Sequence, residues 1–260
     1  MGYVIIWEKS SLVPSQTIEH LGLTINSLDM TVRIGREKCN NIIDVCKKVK
    51  AARNISIRTV ARLLGTMTSY LPGVENGLLH YRALEACKNV ALKRNEFNFD
   101  KSMTFNSDAK EDISWWQNNV AQQCTKLNRG PPVIILTTDS SMKGWGAVRD
   151  DNKTGGSWNA DEQTFHINAL EMKAVLFGLK SLCSEVSDSH IQVKTDSSTC
   201  VSYINARGGA KSIVCNEMAK AIWDWCLYSR NFVSAVHLAG VLNSVADFES
   251  RHQTDNTEWS

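Results

Sequence analysis

Four acidic residues occupy positions where a carboxylate is costly. Asp139 closes the apolar run Val133–Leu136 after two threonines, and Asp196 closes a second apolar run at the start of a helix. Glu171 falls on the apolar side of its helix, because Ile167, Leu170 and Ala174 are its i−4, i−1 and i+3 neighbours. Asp247 opens a short final helix. A carboxylate turned toward a core is strongly disfavoured unless something positive compensates it. Each acid also has a plain explanation: Asp196, ahead of Ser197-Ser198-Thr199, could cap a helix. Asp139 could belong to a turn, Asp247 could be another cap, and Glu171 would be exposed in a different helix phase. As a set they suggest convergence at one edge of a sheet. A divalent cation held by hard oxygen ligands, magnesium or manganese, would be their counter-ion.

The elements that must position them read as follows. Asn-Arg-Gly-Pro-Pro at 128–132 is the clearest boundary in the 260 residues. Beyond it, strands are expected at 133–136, 145–148 and 155–158, with an Asp-Asp turn between the last two. A helix over 165–182 and a strand over 191–195 follow. Helices at 198–206 and 212–228, a strand at 233–237 and a helix near 244–251 complete a mixed α/β sheet. Before the boundary, strands are expected at 3–7, 17–25 and 30–34. Helices follow at 36–49, 56–70 (Ser56 as cap), 74–93 and 107–124.

Charge is unevenly spread although the net is only +2. Residues 1–131 hold 18 Lys and Arg against 12 acids, and Arg33 to Arg62 holds nine basic residues against two acidic ones. Such a stretch, including Lys47, Lys48 and Arg58, suits a nucleic-acid backbone and equally a solvated helix surface. The eight cysteines form no CxxC pair and no zinc-like spacing, which favours reduced thiols and an intracellular setting, cytoplasmic or nuclear. No apolar run approaches bilayer length, so no membrane partner is expected. Trp223, with Ile222 and Cys226, is expected in a core.

Residues 133–251 resemble the ribonuclease H domain of retroelements. The likeness lies in Thr138-Asp139-Ser140-Ser141, Gly144-Trp145-Gly146-Ala147, His166-Ile167-Asn168-Ala169-Leu170-Glu171, Lys194-Thr195-Asp196-Ser197 and His237…Asn243…Ala246-Asp247. It implies a ribonuclease H-like mixed five-stranded sheet with flanking helices over 132–255. It also implies that Asp139, Glu171, Asp196 and Asp247 bind two Mg2+ ions, for which Mn2+ substitutes. His237, ten residues before Asp247, would serve in proton transfer or product release.

The implied reaction is hydrolysis of the RNA strand of an RNA–DNA hybrid by two metals about 4 Å apart, leaving 5′-phosphate and 3′-hydroxyl ends. Asn168, three before Glu171, would sense the ribose 2′-hydroxyl. Ser140, Ser198 and Asn243 are further candidate substrate contacts. Ser198 is a departure, since the family often carries Gln there. The separate basic, tryptophan-rich helix of some family members is not apparent between Ala206 and Ser212.

The first half adds Lys9-Ser10…Ile18-Glu19-His20-Leu21-Gly22-Leu23, similar to the primer-holding hairpin at the end of a reverse transcriptase palm. Ile57-Arg58…Leu63-Leu64-Gly65 is similar to the thumb and connection that follow. The whole chain thus resembles the C-terminal part of a DIRS-like retrotransposon reverse transcriptase. Residues 1–35 would be a palm remnant, 36–127 a helical thumb and connection, and 132–255 the nuclease. The Tyr-x-Asp-Asp metal motif of the polymerase does not occur, so the implied partners are the hybrid and an upstream palm and fingers. A catalytically silent nucleic-acid or protein-binding module derived from such an element is the alternative.

Overall fold

A computed structural model describes Trp7 and residues 10–209, 211–240 and 243–251. The expected strand at 3–7 therefore lies outside the described residues except for Trp7, as does Lys9.

The first half joins a small sheet to four helices around one core. Strands β1 (Thr17–His20) and β2 (Leu23–Asn26) form a hairpin, and β3 (Thr31–Ile34) pairs with β2. The hairpin reverses at Leu21 and Gly22, both with positive φ. Helix α1 (Arg36–Ala51) buries Cys39, Ile42, Cys46 and Val49 at helical spacing and leaves Lys47 and Lys48 exposed. A two-residue strand, β4 (Ile55–Ser56), precedes α2 (Ile57–Tyr70), which Ser56 caps by accepting from the Thr59 amide.

Only the second part of the helix expected at 74–93 forms, as α3 (Arg82–Arg94). Residues 74–81 run as turns, with Val74 and Leu79 buried. The reason is tertiary. The buried Asp112 carboxylate accepts from the Leu84 amide at 2.9 Å and so caps α3 from 28 residues downstream. Strand β5 (Ser102–Met103) pairs with β4, and α4 (Ser107–Asn119) is capped by Asn106. The chain then returns as β6 (Thr125–Lys126) to pair with β3, a pairing that no local pattern announced. Ile34 of β3 shares its core with α1, α2 and the fully buried Trp116 of α4.

The second half is a five-stranded mixed sheet. Its strands are β7 (Ile134–Ser140), β8 (Gly144–Arg149), β9 (Asn152–Ser157), β10 (His190–Thr195) and β11 (Phe232–His237), in the order β11-β10-β7-β8-β9. The first three are antiparallel neighbours, whereas β10 runs parallel to both β7 and β11. Helices α5 (Ile167–Leu182), α6 (Ser198–Asn205), α7 (Ile213–Tyr228) and α8 (Ser244–Arg251) flank it. Helix α5 packs on β7 and β8 and on α7, which explains why it is apolar nearly all round. Leu136, Leu170, Met172, Leu179 and Ile191 are fully buried there, each burial worth about 1.5–3 kcal/mol.

Helix α8 lies across β8 and β9, where Gly146 and Gly155 leave no side chain in the way. A Cβ at Gly146 would overlap the Ala246 carbonyl and the Ser250 amide. Trp223 and Cys226 lie in the core as expected. All eight cysteines are free. Among the described residues no helix is long and apolar enough to cross a membrane.

The halves are joined by Arg207, just after α6. Its guanidinium stacks on Trp223 (4.1 Å to the ring centre) and donates to the Glu75 carbonyl, to Asn76 Oδ1 at 2.6 Å and to Glu75 Oε1 at 3.0 Å. Arg129 pairs with the same Glu75 carboxylate and stacks on Phe232. Without the guanidinium the Glu75 carbonyl and Asn76 lose their donor and Trp223 its stacked partner, while Arg129 still faces the Glu75 carboxylate. Arg207→Ala is therefore expected to destabilise the chain by roughly 3 kcal/mol in urea unfolding. A loss below about 0.5 kcal/mol would show that the joint contributes nothing.

Candidate active site

The parallel register sets the site. Ile191 pairs with Ile134 and Lys194 with Thr137, so two further steps bring Asp196 level with Asp139. Both strands end at the same edge, and α5 lays Glu171 over it. Asp139, Glu171 and Asp196 each offer an oxygen, and these atoms all lie within 4.8 Å of one another. Asp139 is 4% exposed and Glu171 6%, whereas Asp196 faces solvent.

Burial is the largest influence on both inner acids. It raises Asp139 to about 6, with Asp196 and Asp247 adding repulsion and the Ser250 hydroxyl opposing it. It raises Glu171 to about 9, reinforced by Asp139 and Asp196 and opposed by hydrogen bonds from the Ser140 amide and the Thr195 hydroxyl. Glu171 Oε2 is buried without a hydrogen-bond partner. A buried orphan carboxylate oxygen facing two further acids fits a hard divalent cation, which would satisfy the oxygen and cancel the repulsion. The three acids form a candidate metal site.

Asp247 sits on α8 beside this cluster rather than within it. Arg251 donates to its Oδ1 at 2.6 Å, one helical turn away on the exposed face. His237 ends β11 opposite Thr195, so its exposed ring stands at the sheet edge where Asp196 emerges. Asn168 and Ser198 line one groove of about 790 Å3 with Phe165, His166, Tyr203 and Lys211. His166 caps α5 by accepting from the Asn168 amide, a role that no spacing signalled. Ser140, half-buried, is the last residue of β7.

Asn243 is turned inward instead of toward the groove. Its amide donates to Asp139 Oδ1 at 3.0 Å and to the Thr138 carbonyl at 3.2 Å, and it is 2% exposed. Arg58 forms a two-point ion pair with Asp100, and Lys47 lies 3.6 Å from Asp44, so both carry partners on the surface of the first half. Ser250, absent from the sequence-derived set, reaches Asp139 from α8.

The five-stranded sheet, in the order β11-β10-β7-β8-β9, and its flanking helices form the mixed α/β architecture expected from the sequence, with an acidic cluster at its edge. In sequence the chain is similar to an enzymatic polyprotein of Carnation etched ring virus, 25% identical over 174 residues, taking in 58% of this chain and 26% of that protein. It is also similar to a putative enzymatic polyprotein of Cassava vein mosaic virus, 22% identical over 270 residues, with 98% of this chain and 39% of that protein. The chain thus spans well under half the length of the relatives it matches. No family model matches it. Among solved structures, an LC11 ribonuclease H1 in complex with RNA/DNA hybrid aligns at 20% identity and TM-score 0.39 over 45% of this chain and 92% of that one. A foamy viral protease–reverse transcriptase in complex with RNA/DNA hybrid aligns at 9% and 0.36 over 94% and 32%.

Proposed function

We propose that this chain is a metal-dependent endoribonuclease that hydrolyses the RNA strand of RNA–DNA hybrids, as part of a retroelement reverse transcriptase. The observation that carries this reading is the meeting of Asp139, Glu171 and Asp196, from two strand ends and a helix, within 4.8 Å. Asp139, Glu171 and Asp196 would hold the cations, with Asp247 completing the set by releasing Arg251. Bound Mg2+ or Mn2+ would activate a water and stabilise the leaving 3′ oxygen. His237 would exchange a proton with solvent at the rim of the site.

Asn168 and Ser198 share a groove whose hydroxyl, amide and Lys211 groups would meet ribose hydroxyls and phosphates, and Ser140, beside Asp139 in β7, would be a separate substrate contact. The exposed Lys47 and Lys48 of α1, with Arg58 at the start of α2, would track the backbone of the hybrid farther out. We assign residues 1–35 to the end of a palm, 36–127 to a thumb and connection, and 132–255 to the nuclease. Palm and fingers would lie upstream in a longer polyprotein. The motifs around Ile18–Leu23 and Ile57–Gly65 favour a DIRS-like source, and the thiol pattern favours the cytoplasm or nucleus.

The test is cleavage of a strand-labelled RNA–DNA hybrid with Mg2+ or Mn2+, set against duplex DNA and duplex RNA. Cutting is expected in the RNA of the hybrid alone. A folded chain that binds the hybrid and leaves it intact with both metals would instead make it a binding module.

A further inference from the structure

Asp139 is gripped from behind by the last helix. Ser250 is fully buried, and its hydroxyl lies 2.7 Å from Asp139 Oδ2 and 2.9 Å from the Asp247 carbonyl. A hydroxyl has one proton, and the carboxylate is the stronger acceptor, so that proton goes to Asp139 whenever Asp139 is ionised. Asn243 holds the other oxygen. Both oxygens are therefore fixed by neutral donors, which orient the carboxylate without adding charge to the site.

The helix that delivers Ser250 is itself firmly seated. Gly146 and Gly155 admit its backbone directly onto β8 and β9. Ser141 Oγ donates to the Ser250 carbonyl at 2.8 Å, a bond that holds the helix end but does not reach Asp139. Position and orientation are thus separable: Ser141 anchors the turn, and the Ser250 hydroxyl contacts the acid.

We infer that Ser250 is a positioning residue for the cation site: its hydroxyl sets the plane of the Asp139 carboxylate so that the lone pairs it leaves free face the space shared with Glu171 and Asp196. This rests on reading those acids as cation ligands. A carboxylate in a three-acid cluster is otherwise pushed to rotate away from its neighbours, and donors fixed on each oxygen, Asn243 on Oδ1 and Ser250 on Oδ2, oppose that. Groups that hydrogen-bond to metal ligands typically contribute 10–100-fold to metal affinity.

The test is Mn2+ titration of the full chain by calorimetry, beside thermal melts. Asp139→Asn first settles whether the acids bind Mn2+; wild type failing to bind would overturn the cation-site reading and this assignment together. With wild type binding, Ser250→Ala is expected to weaken Mn2+ by about 10–100-fold. Ser250→Cys, nearly isosteric but a weak donor, should weaken it comparably, and Ser250→Thr should restore it. Ser141→Ala should lower the melting temperature with Mn2+ affinity unchanged.

Wild-type affinity in Ser250→Ala or Ser250→Cys would overturn the inference. So would an equal loss in Ser141→Ala, because the seat of the helix and not the hydroxyl would then be responsible. If Ser250→Ala does not fold, Ser250→Cys decides alone. With hybrid as substrate, Ser250→Ala and Ser250→Cys should lower kcat and leave KM near wild type, since Ser250 does not line the groove.

Discussion

Asp139→Asn is expected to lower the rate of hybrid cleavage by about a thousandfold or more, equivalent to ~4 kcal/mol of transition-state stabilisation. The fold should survive the change. Asn is nearly isosteric, keeps one carbonyl oxygen for the Asn243 amide, and can turn its own amide toward Ser250 Oγ, a hydroxyl that accepts as readily as it donates. The change also removes a charge from a crowded site, since Asp139 is itself repelled by Asp196 and Asp247. The melting temperature without divalent cation should therefore not fall. Hybrid affinity should stay within a few-fold, because the groove that contains Asn168 and Ser198 does not include residue 139. Single-turnover cleavage at saturating hybrid, with melting curves on the same preparation, makes the comparison. Retention of more than a tenth of wild-type cleavage would remove Asp139 from the reaction.

Glu171→Gln should separate stability from function. Burial first, then the charges of Asp139 and Asp196, raise Glu171 in the folded chain from an ordinary 4.5 to about 9. The folded state thus holds a proton that the unfolded state has lost. For an acid shifted upward, stability is highest below the unfolded value and declines as pH climbs toward the folded one. The difference between wild type and variant over pH 7 to 8.5 isolates this group, because His80 (about 4), Asp139 (about 6), Asp112 (about 7) and the buried thiols of Cys46 and Cys226, which burial raises, act in both proteins alike.

Across that window Glu171 should take about 2 kcal/mol of unfolding free energy from the wild-type chain without divalent cation. Glu171→Gln, which mimics the protonated acid, should lose about 2 kcal/mol less over that window and be the more stable protein already at pH 7, by a margin that widens toward pH 8.5. Mg2+ or Mn2+ at a hundred times its Kd should return about 2.7 kcal/mol to the wild type and little to the variant. Urea unfolding at fixed ionic strength measures both. Parallel slopes in the two proteins would mean that Glu171 is not the buried acid on which this account depends.

Both predictions start from residues legible in the sequence, and the reason is local. Asp139 and Asp196 close apolar runs that fold as strands, and a strand end is visible from its own few residues. Glu171 was placed on the buried side of its helix by neighbours within four positions, and it is 6% exposed. Helix and strand order from residue 133 onward matches the expected succession for the same reason. The helix expected at 74–93 failed where local reading must fail. Its true start is decided by Asp112, distant in sequence and adjacent in space.

The sequence by itself determined the types, order and local setting of the acids, along with the elements that carry them, because hydrophobic period and capping act over a few residues. Only the tertiary structure decided what supports them. It turned Asn243 from the groove to Asp139, brought Ser250 to the other oxygen of the same carboxylate across 111 residues, and paired Asp247 with Arg251. It also locked the two halves through Arg207 and Glu75. A hydrogen bond needs its partners within about 3 Å, and that distance is set by how a glycine-floored sheet admits a helix, which no spacing along the chain records.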